Sequence, residues 1–398
     1  MATQKGKIKL RTGESYRAKE DRFMYRWTDA NSKRHSVYAS TIGELREKEQ
    51  QIQKDTLNGM IYSDMTVAQL YEKWIKLKTN LKPNSLHGYK MMYTTQILPN
   101  IGKYKICDVK KSDLRAWCVD LAQHDYSVGY IKKLMTILRQ MFELAVDDDL
   151  IQKNPASHAL QGILPEEGKR ESLTLDEERE LFQFASKDRL RQDTYLVMCI
   201  LLNTGLRVGE FCALTWNDVD LINNQISITK TLSLDMSSAT TKAMIGTPKT
   251  KSSVRTIPIS EYTAQLFLQL KELVESYHLT QTPVVDGYTD FCYITPRGEV
   301  SHPSMITSRI AYTVDKCNKY LRLKHGEDSW QIRPITAHVL RHTFATRMCE
   351  AGANPKATQG LLGHANIDIT MNVYTDITDT MQRQALQSLK LQYNISTS

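Results

Sequence analysis

The stretch HVLRHTFATRMCEAGANPKATQGLLGHANIDITMNVY, residues 338–374, decides how this chain is read. A helix over 337–351 puts His338 and Arg341, three apart, on one face. Leu362-Gly363-His364 places a second histidine just past a predicted helix at 355–362, and Tyr374 follows ten positions later. Farther back, T-G-L-R-V-G-E at 204–210 supplies Arg207. Two arginines offer planar, permanently charged forks that match the non-bridging oxygens of a phosphate. Histidines move protons or donate hydrogen bonds near neutral pH, and a tyrosine oxygen can form a covalent intermediate. Together these groups suffice to hold and attack a phosphodiester.

Each string is weak by itself. T-G-x-R-x-G-E could be a helix start whose arginine pairs with Glu210. His338 and His342 have the i,i+4 spacing of zinc ligands, but Val339 stands where a metalloprotease has glutamate, and no third ligand lies nearby. No metal site is expected. With 19 tyrosines in 398 residues, any single one is usually structural. Order and joint occurrence carry the inference.

The chain is long enough for two or three domains. No run of about 18 apolar residues reaches a membrane span, and the start lacks a signal-peptide core, so a cytoplasmic protein is expected. Seven cysteines without a C-x-x-C pair read as reduced thiols, mostly buried. The net charge of +8 is unevenly placed. Residues 1–60 hold 13 Lys/Arg against 8 Asp/Glu, residues 61–153 hold 14 against 10, and the remainder 25 against 26. All the basic excess precedes position 154, which marks a polyanion-binding region.

Residues 7–39 alternate like strands, with Phe23, Tyr25 and Trp27 on one face and Arg22, Met24 and Arg26 on the other. A turn at 28–34 joins two strands, and Thr41 caps a helix of about 17 residues. The aromatic face is expected to meet that helix. The basic face, with Lys33 and Arg34, is the candidate DNA reader. Residues 64–153 are helical: Thr66 caps a helix with the stripe Val67, Leu70, Trp74 and Leu77, Leu81–Asn84 is a turn, L-P-N-I-G at 98–102 breaks the next helix, and two more fit 112–123 and 127–146. A hinge follows at 162–170, and Thr174-x-x-Glu177 is a capping box. Beyond it, helices alternate with strands at 226–228 and 254–259, separated by a polar segment carrying Lys242, Lys249 and Lys251. The fold class is α+β and multidomain: a small three-stranded β-sheet plus helix, a helical domain, then a mainly α domain with a small antiparallel sheet.

The ordered set of Arg207, a hairpin lysine, H-x-x-R, L-G-H and Tyr374 strongly resembles the tyrosine recombinases, the integrase family of phages and conjugative transposons. The resemblance implies catalytic roles for Arg207, Lys249, His338, Arg341, His364 and the nucleophile Tyr374. Lys251 and Lys242 remain alternatives to Lys249, since register in a hairpin is the loosest part of the match. T-G-E-S-Y-R and R-F-M-Y-R-W look like the arm-site-binding domain of conjugative-transposon integrases. The implied domains are an arm-site binder at 1–60, with Arg22, Arg26, Lys33 and Arg34 on DNA, a helical core-site binder at 61–160, and a catalytic domain with C-terminal tail at 161–398.

The implied reaction integrates and excises a mobile element through a 3′-phosphotyrosyl intermediate and a Holliday junction, without metal or nucleotide cofactor. The implied partners are double-stranded DNA at core and arm sites and three further copies of the chain, with room for an excision accessory protein and a host DNA-bending protein. Nucleoid association would follow from DNA binding, with no membrane involved. Met381, Ala385, Leu386 and Leu389 can form an apolar stripe that must be buried; the resemblance implies a tail that docks on a neighbouring protomer, with packing on its own domain as the alternative. A type IB-like topoisomerase shares the chemistry, and a DNA-binding regulator that has lost catalysis would share the DNA-binding domains.

Overall fold

A computed structural model describes residues 9–28, 34–57, 64–164, 172–236, 242–248, 250–326 and 328–374. Lys33, Lys249 and the tail stripe at Met381, Ala385, Leu386 and Leu389 lie outside the described residues. The chain divides into two compact units, Met1–Gly168 and Lys169–Ser398.

The first unit opens with an antiparallel sheet of β1 (Glu14–Arg17), β2 (Arg22–Thr28) and β3 (Arg34–Ala39), in that order. Helix α1 (Ile42–Leu57) follows, and the Thr41 hydroxyl accepts the Glu44 N–H at 3.2 Å, as a helix cap should. Paired residues share a face of a sheet. The register sets Phe23, Tyr25 and Trp27 opposite Ala39, Val37 and His35, and Phe23, Ala39 and Leu45 form the small core beneath α1. The opposite face collects Arg17, Arg22, Arg26 and Arg34. Met24, on that same face, is nonetheless buried at 4 % exposure. Its cross-strand neighbours are Ser15 and Tyr38, and the Arg17 guanidinium lies 5.6 Å over the Tyr38 ring. An aromatic ring and arginine stems cover apolar surface well.

The helical part of this unit comprises α2 (Val67–Lys76), α3 (Pro83–Met92), α4 (Leu98–Ile101), α5 (Lys111–Gln123) and α6 (Val128–Asp147). Thr66 and Gln69 form a capping box on α2. Leu77 departs from the expected stripe: it is the C-cap of α2 and is exposed. Pro83 takes the first position of α3, where its missing N–H costs nothing, so the expected turn is shorter than 81–84. L-P-N-I-G does end the helix, but at Gly102, the C-cap of α4, and not at Pro99. A π-turn at Tyr93–Ile97 joins α3 to α4, and Pro99 falls in the first turn of α4. The i→i+5 register loosens the ladder just before Pro99, and the Asn100 amide donates to Gln96 O at 2.7 Å. Leu70, Trp74, Ile97, Leu114, Ile131, Leu138 and Phe142 make the core.

The second unit starts at α7 (Leu175–Lys187), capped by Thr174 with Glu177. Helix α8 (Gln192–Thr204) is buried along almost its whole length and packs against α10 (Glu261–Glu275) and α12 (Ala337–Glu350). Short α9 (Val208–Cys212) leads to a sheet in the order β4 (Val219–Asp220), β5 (Gln225–Ile228), β8 (Arg255–Pro258). The polar stretch between the expected strands holds a further hairpin, β6 (Thr231–Asp235) with β7 (Lys242–Gly246). Helices α11 (Pro303–His325), α13 (Pro355–Leu362) and α14 (Ile367–Tyr374) complete the unit. All seven cysteines are free and only Cys107 is exposed. Among the described residues, no helix is long and apolar enough to cross a membrane.

Candidate active site

Helix α8 ends on Gly205 in the left-handed region, φ 62°. A Cβ there would lie 2.4 Å from Phe344 Cδ1, so glycine is required both by conformation and by space. The turn delivers Arg207 to the N-cap of α9. Its N–H is accepted by Glu210 Oε2 at 3.0 Å, and its Nη1 donates to Glu210 Oε1 at 2.7 Å. The bland reading of T-G-L-R-V-G-E is therefore correct as geometry, and it is also what aims the guanidinium.

Glu210 is almost wholly enclosed, and a second guanidinium sits on it. Arg255, at the start of β8, donates from Nη2 to Oε2 at 3.0 Å and from Nη1 to Oε1 at 3.2 Å. Burial alone would raise the Glu210 carboxyl, but the hydrogen bonds and charge of Arg255, with Arg207, hold it below its ordinary value. Arg255 belongs to none of the motifs that point to this site. The signal available was an arginine in the otherwise alternating run V-R-T-I-P-I.

Three guanidiniums meet three successive carbonyls at the C-terminus of α13. Arg255 Nε donates to Leu361 O at 2.8 Å, Arg341 Nη2 to Leu362 O at 2.7 Å and Arg207 Nη2 to Gly363 O at 3.3 Å. These carbonyls lack helical partners and carry the negative end of the helix dipole. Arg341 Nη1 reaches back to Gly205 O at 2.7 Å, which joins α12 to the turn before Arg207. Gly363 itself is left-handed, φ 65°, and a Cβ on it would lie 2.9 Å from Arg255 Nη1.

Arg341 is 4 % exposed. Burial first, then the charge of Arg207, lowers its pKa to about 9 despite Glu210. The cluster thus gathers three arginines around one carboxylate, and an anion would relieve the excess.

His364 follows the cap. Its backbone is pinned by Gln359, whose O accepts its N–H at 3.2 Å and whose Nε2 donates to its O at 3.0 Å. Its Nδ1 lies 2.9 Å from Thr370 Oγ1 of α14. Burial, then Arg341, Arg207, Arg255 and His338, lowers the ring's pKa to about 4. The imidazole is therefore neutral near neutral pH. His338 stands exposed at the second position of α12, close enough for its charge to act on His364. Arg207, His338, Arg341 and His364 come together in one site.

Tyr374 is the last residue of α14. Of the hairpin lysines, Lys242 is exposed on β7, opposite Asp235. Lys251 opens a 3-10 turn, Lys251–Ser253, directly before β8. Ser253 Oγ accepts from Arg207 Nη1 at 3.4 Å and lies 2.8 Å from Thr250 Oγ1, so residues 250–253 run beside Arg207. Among the described residues, no group of three His, Cys, Asp or Glu could hold a metal ion. In the other unit, Arg22, Arg26 and Arg34 are all exposed on one sheet face.

A sequence profile described as the phage integrase family matches residues 171–381. One described as a phage integrase N-terminal SAM-like domain matches 66–122, and one described as the DNA binding domain of Tn916 integrase matches 3–56. The transposase from transposon Tn916 of Enterococcus faecalis is 32 % identical over 390 residues, 94 % of this chain and 93 % of that protein. A structure of the Tn1549 transposon integrase in complex with transposon right end DNA is similar at 32 % identity and TM-score 0.72, covering 82 % of this chain and 99 % of that one. A lambda integrase tetramer bound to a Holliday junction shares the fold at 17 % identity and TM-score 0.56, over 92 % of this chain and 96 % of that one.

Proposed function

Because the chain belongs to the phage integrase family of tyrosine recombinases, we propose that it is a site-specific DNA recombinase that integrates and excises a mobile element, with Arg207, Lys249, His338, Arg341, His364 and Tyr374 as its catalytic set. One observation carries the reading: Arg207, Arg341 and His364 converge on the end of α13 with more positive charge than Glu210 offsets.

The Tyr374 oxygen attacks a scissile phosphate, forming a 3′-phosphotyrosyl ester and releasing a 5′-hydroxyl. Arg207 and Arg341 hold the non-bridging oxygens and stabilise the charge that builds on them, where preorganised donors act most strongly. Being neutral, His364 contributes a hydrogen bond rather than a charge. His338 takes the tyrosine proton, and Lys249 protonates the leaving 5′-oxygen. Lys249 is supported over Lys242 by the position of its neighbours Thr250 and Ser253 beside Arg207. The ester conserves the bond energy, so the partner strand's 5′-hydroxyl reverses the step.

Double-stranded DNA as substrate is supported by the Tn1549 relative, solved on its transposon end. Residues 1–60 bind arm sites through Arg22, Arg26, Lys33 and Arg34, residues 61–160 bind the core site, and residues 161–398 cut. Four protomers exchange strands through a Holliday junction, with an excision accessory protein and a host bending protein as further partners.

The test is an SDS-resistant adduct on nicked duplexes that carry the repeats flanking the gene, formed in the presence of EDTA. Wild type should trap DNA covalently, and Tyr374→Phe should bind but trap none. A persistent adduct in Tyr374→Phe would move the nucleophile elsewhere, with Tyr393 next. A strict need for a divalent ion would overturn the arginine-and-lysine mechanism.

A further inference from the structure

The Thr370 side chain has no exposure, and its hydroxyl oxygen lies 2.9 Å from His364 Nδ1. Thr370 stands on α14, four positions before Tyr374. A threonine within a helix commonly gives its proton to the carbonyl four residues back. Thr343, Thr346 and Thr358 do so here, to Val339, His342 and Asn354. Thr370 instead brings its oxygen to the imidazole.

A neutral imidazole has one N–H and one bare nitrogen, and a hydroxyl has one proton to give. With the ring proton on Nδ1, the Thr370 oxygen would be the acceptor, and the proton of this fully buried hydroxyl would need another partner. With the ring proton on Nε2, the hydroxyl donates to the bare Nδ1 and both groups are satisfied. We propose that Thr370 is a positioning residue that donates to His364 Nδ1, holding the histidine as its Nε2–H tautomer so that it presents a donor to a non-bridging phosphate oxygen during cleavage. The depressed pKa of the ring fits this, since a neutral ring must hold the right tautomer to donate at all. In the opposite tautomer, a bare Nε2 would face the phosphate and repel its lone pairs. The bond also ties the histidine's tautomer to the seating of the helix that ends in Tyr374. The phosphate contact rests on the recombinase reading; the tautomer does not.

The experiment compares wild type, Thr370→Val and Thr370→Ser as full chains. Nitrogen-15 histidine spectra without DNA, with the His364 signal assigned by its loss in His364→Gln, should show Nε2–H in wild type and Thr370→Ser, and a mixture or Nδ1–H in Thr370→Val. Covalent trapping on nicked duplexes should slow by about 10- to 100-fold in Thr370→Val at unchanged DNA affinity, the scale lost when a histidine's orienting partner is removed, and recover to within about threefold in Thr370→Ser. A wild-type ring protonated on Nδ1, or Thr370→Val with wild-type spectrum and rate, overturns the proposal. If wild type itself traps no DNA, the recombinase reading fails while the spectra still decide the tautomer. If Thr370→Val does not fold, the wild-type and Thr370→Ser spectra decide it.

Discussion

The carboxylate of Glu210 receives the guanidinium of Arg255 on both oxygens, at 3.0 and 3.2 Å, while Arg207 Nη1 shares Oε1 at 2.7 Å. The pair links two segments 45 residues apart and, through Glu210, holds the Arg207 guanidinium. Glu210→Gln keeps the shape and removes the charge, leaving a buried Arg255 uncompensated. Breaking such a pair costs about 3–5 kcal/mol. Urea unfolding of the second unit should show a loss of this order, with slower covalent trapping. A loss under about 1 kcal/mol would mean that Arg255 finds other partners.

Acid should weaken the site through His364. Its ordinary pKa of 6.5 is lowered to about 4 in the fold. Between these values the unfolded chain binds a proton that the folded site refuses. Stability is therefore complete above pH 6.5 and falls as the pH drops toward 4, by at most about 3 kcal/mol. His364→Asn should flatten the stability profile in that window. Parallel profiles for the two proteins would assign the acid sensitivity to other groups.

Gly205→Ala should destabilise the second unit by about 2–4 kcal/mol. The left-handed conformation accounts for about 1–2 of this, and overpacking against Phe344 for the rest. Thermal unfolding measures it. Phe344→Leu in the same background should restore part of the loss, and no recovery would leave backbone strain as the main cause.

Replacing Arg22, Arg26 and Arg34 together by alanine should weaken arm-DNA binding and reduce the slope of log affinity against log salt by about 2–3. Trapping on core-site duplexes should remain. An unchanged slope would place the arm contacts on another face of the sheet.

What the sequence revealed depended on how local the signal was. The capping box at Thr174, the H-x-x-R face of α12 and the strand character of β5 and β8 all follow from near neighbours or plain alternation. Hairpin β6–β7 did not, because its five-residue strands are divided by the polar stretch M-S-S-A-T-T. L-P-N-I-G ends its helix as expected, at Gly102, while the π-turn before Pro99 explains why the proline itself is tolerated. Arg255 was overlooked because its importance lies in distant partners, Glu210 and Leu361. The same holds for Thr370, which lies six positions from His364 in sequence but acts through a ring nitrogen.

The three carbonyls of Leu361, Leu362 and Gly363 make an eight-residue helix into a gauge of length. Each residue turns a helix by about 100° and advances it about 1.5 Å. One residue inserted between Pro355 and Leu362 would rotate all three carbonyls away from their arginines at once, and would carry His364 with them. The mostly exposed stretch at 281–290, between α10 and α11, supplies none of these contacts and should absorb insertions far more readily. Length variation across related chains should therefore be forbidden in one short helix and permitted in a surface stretch of similar length in the same domain.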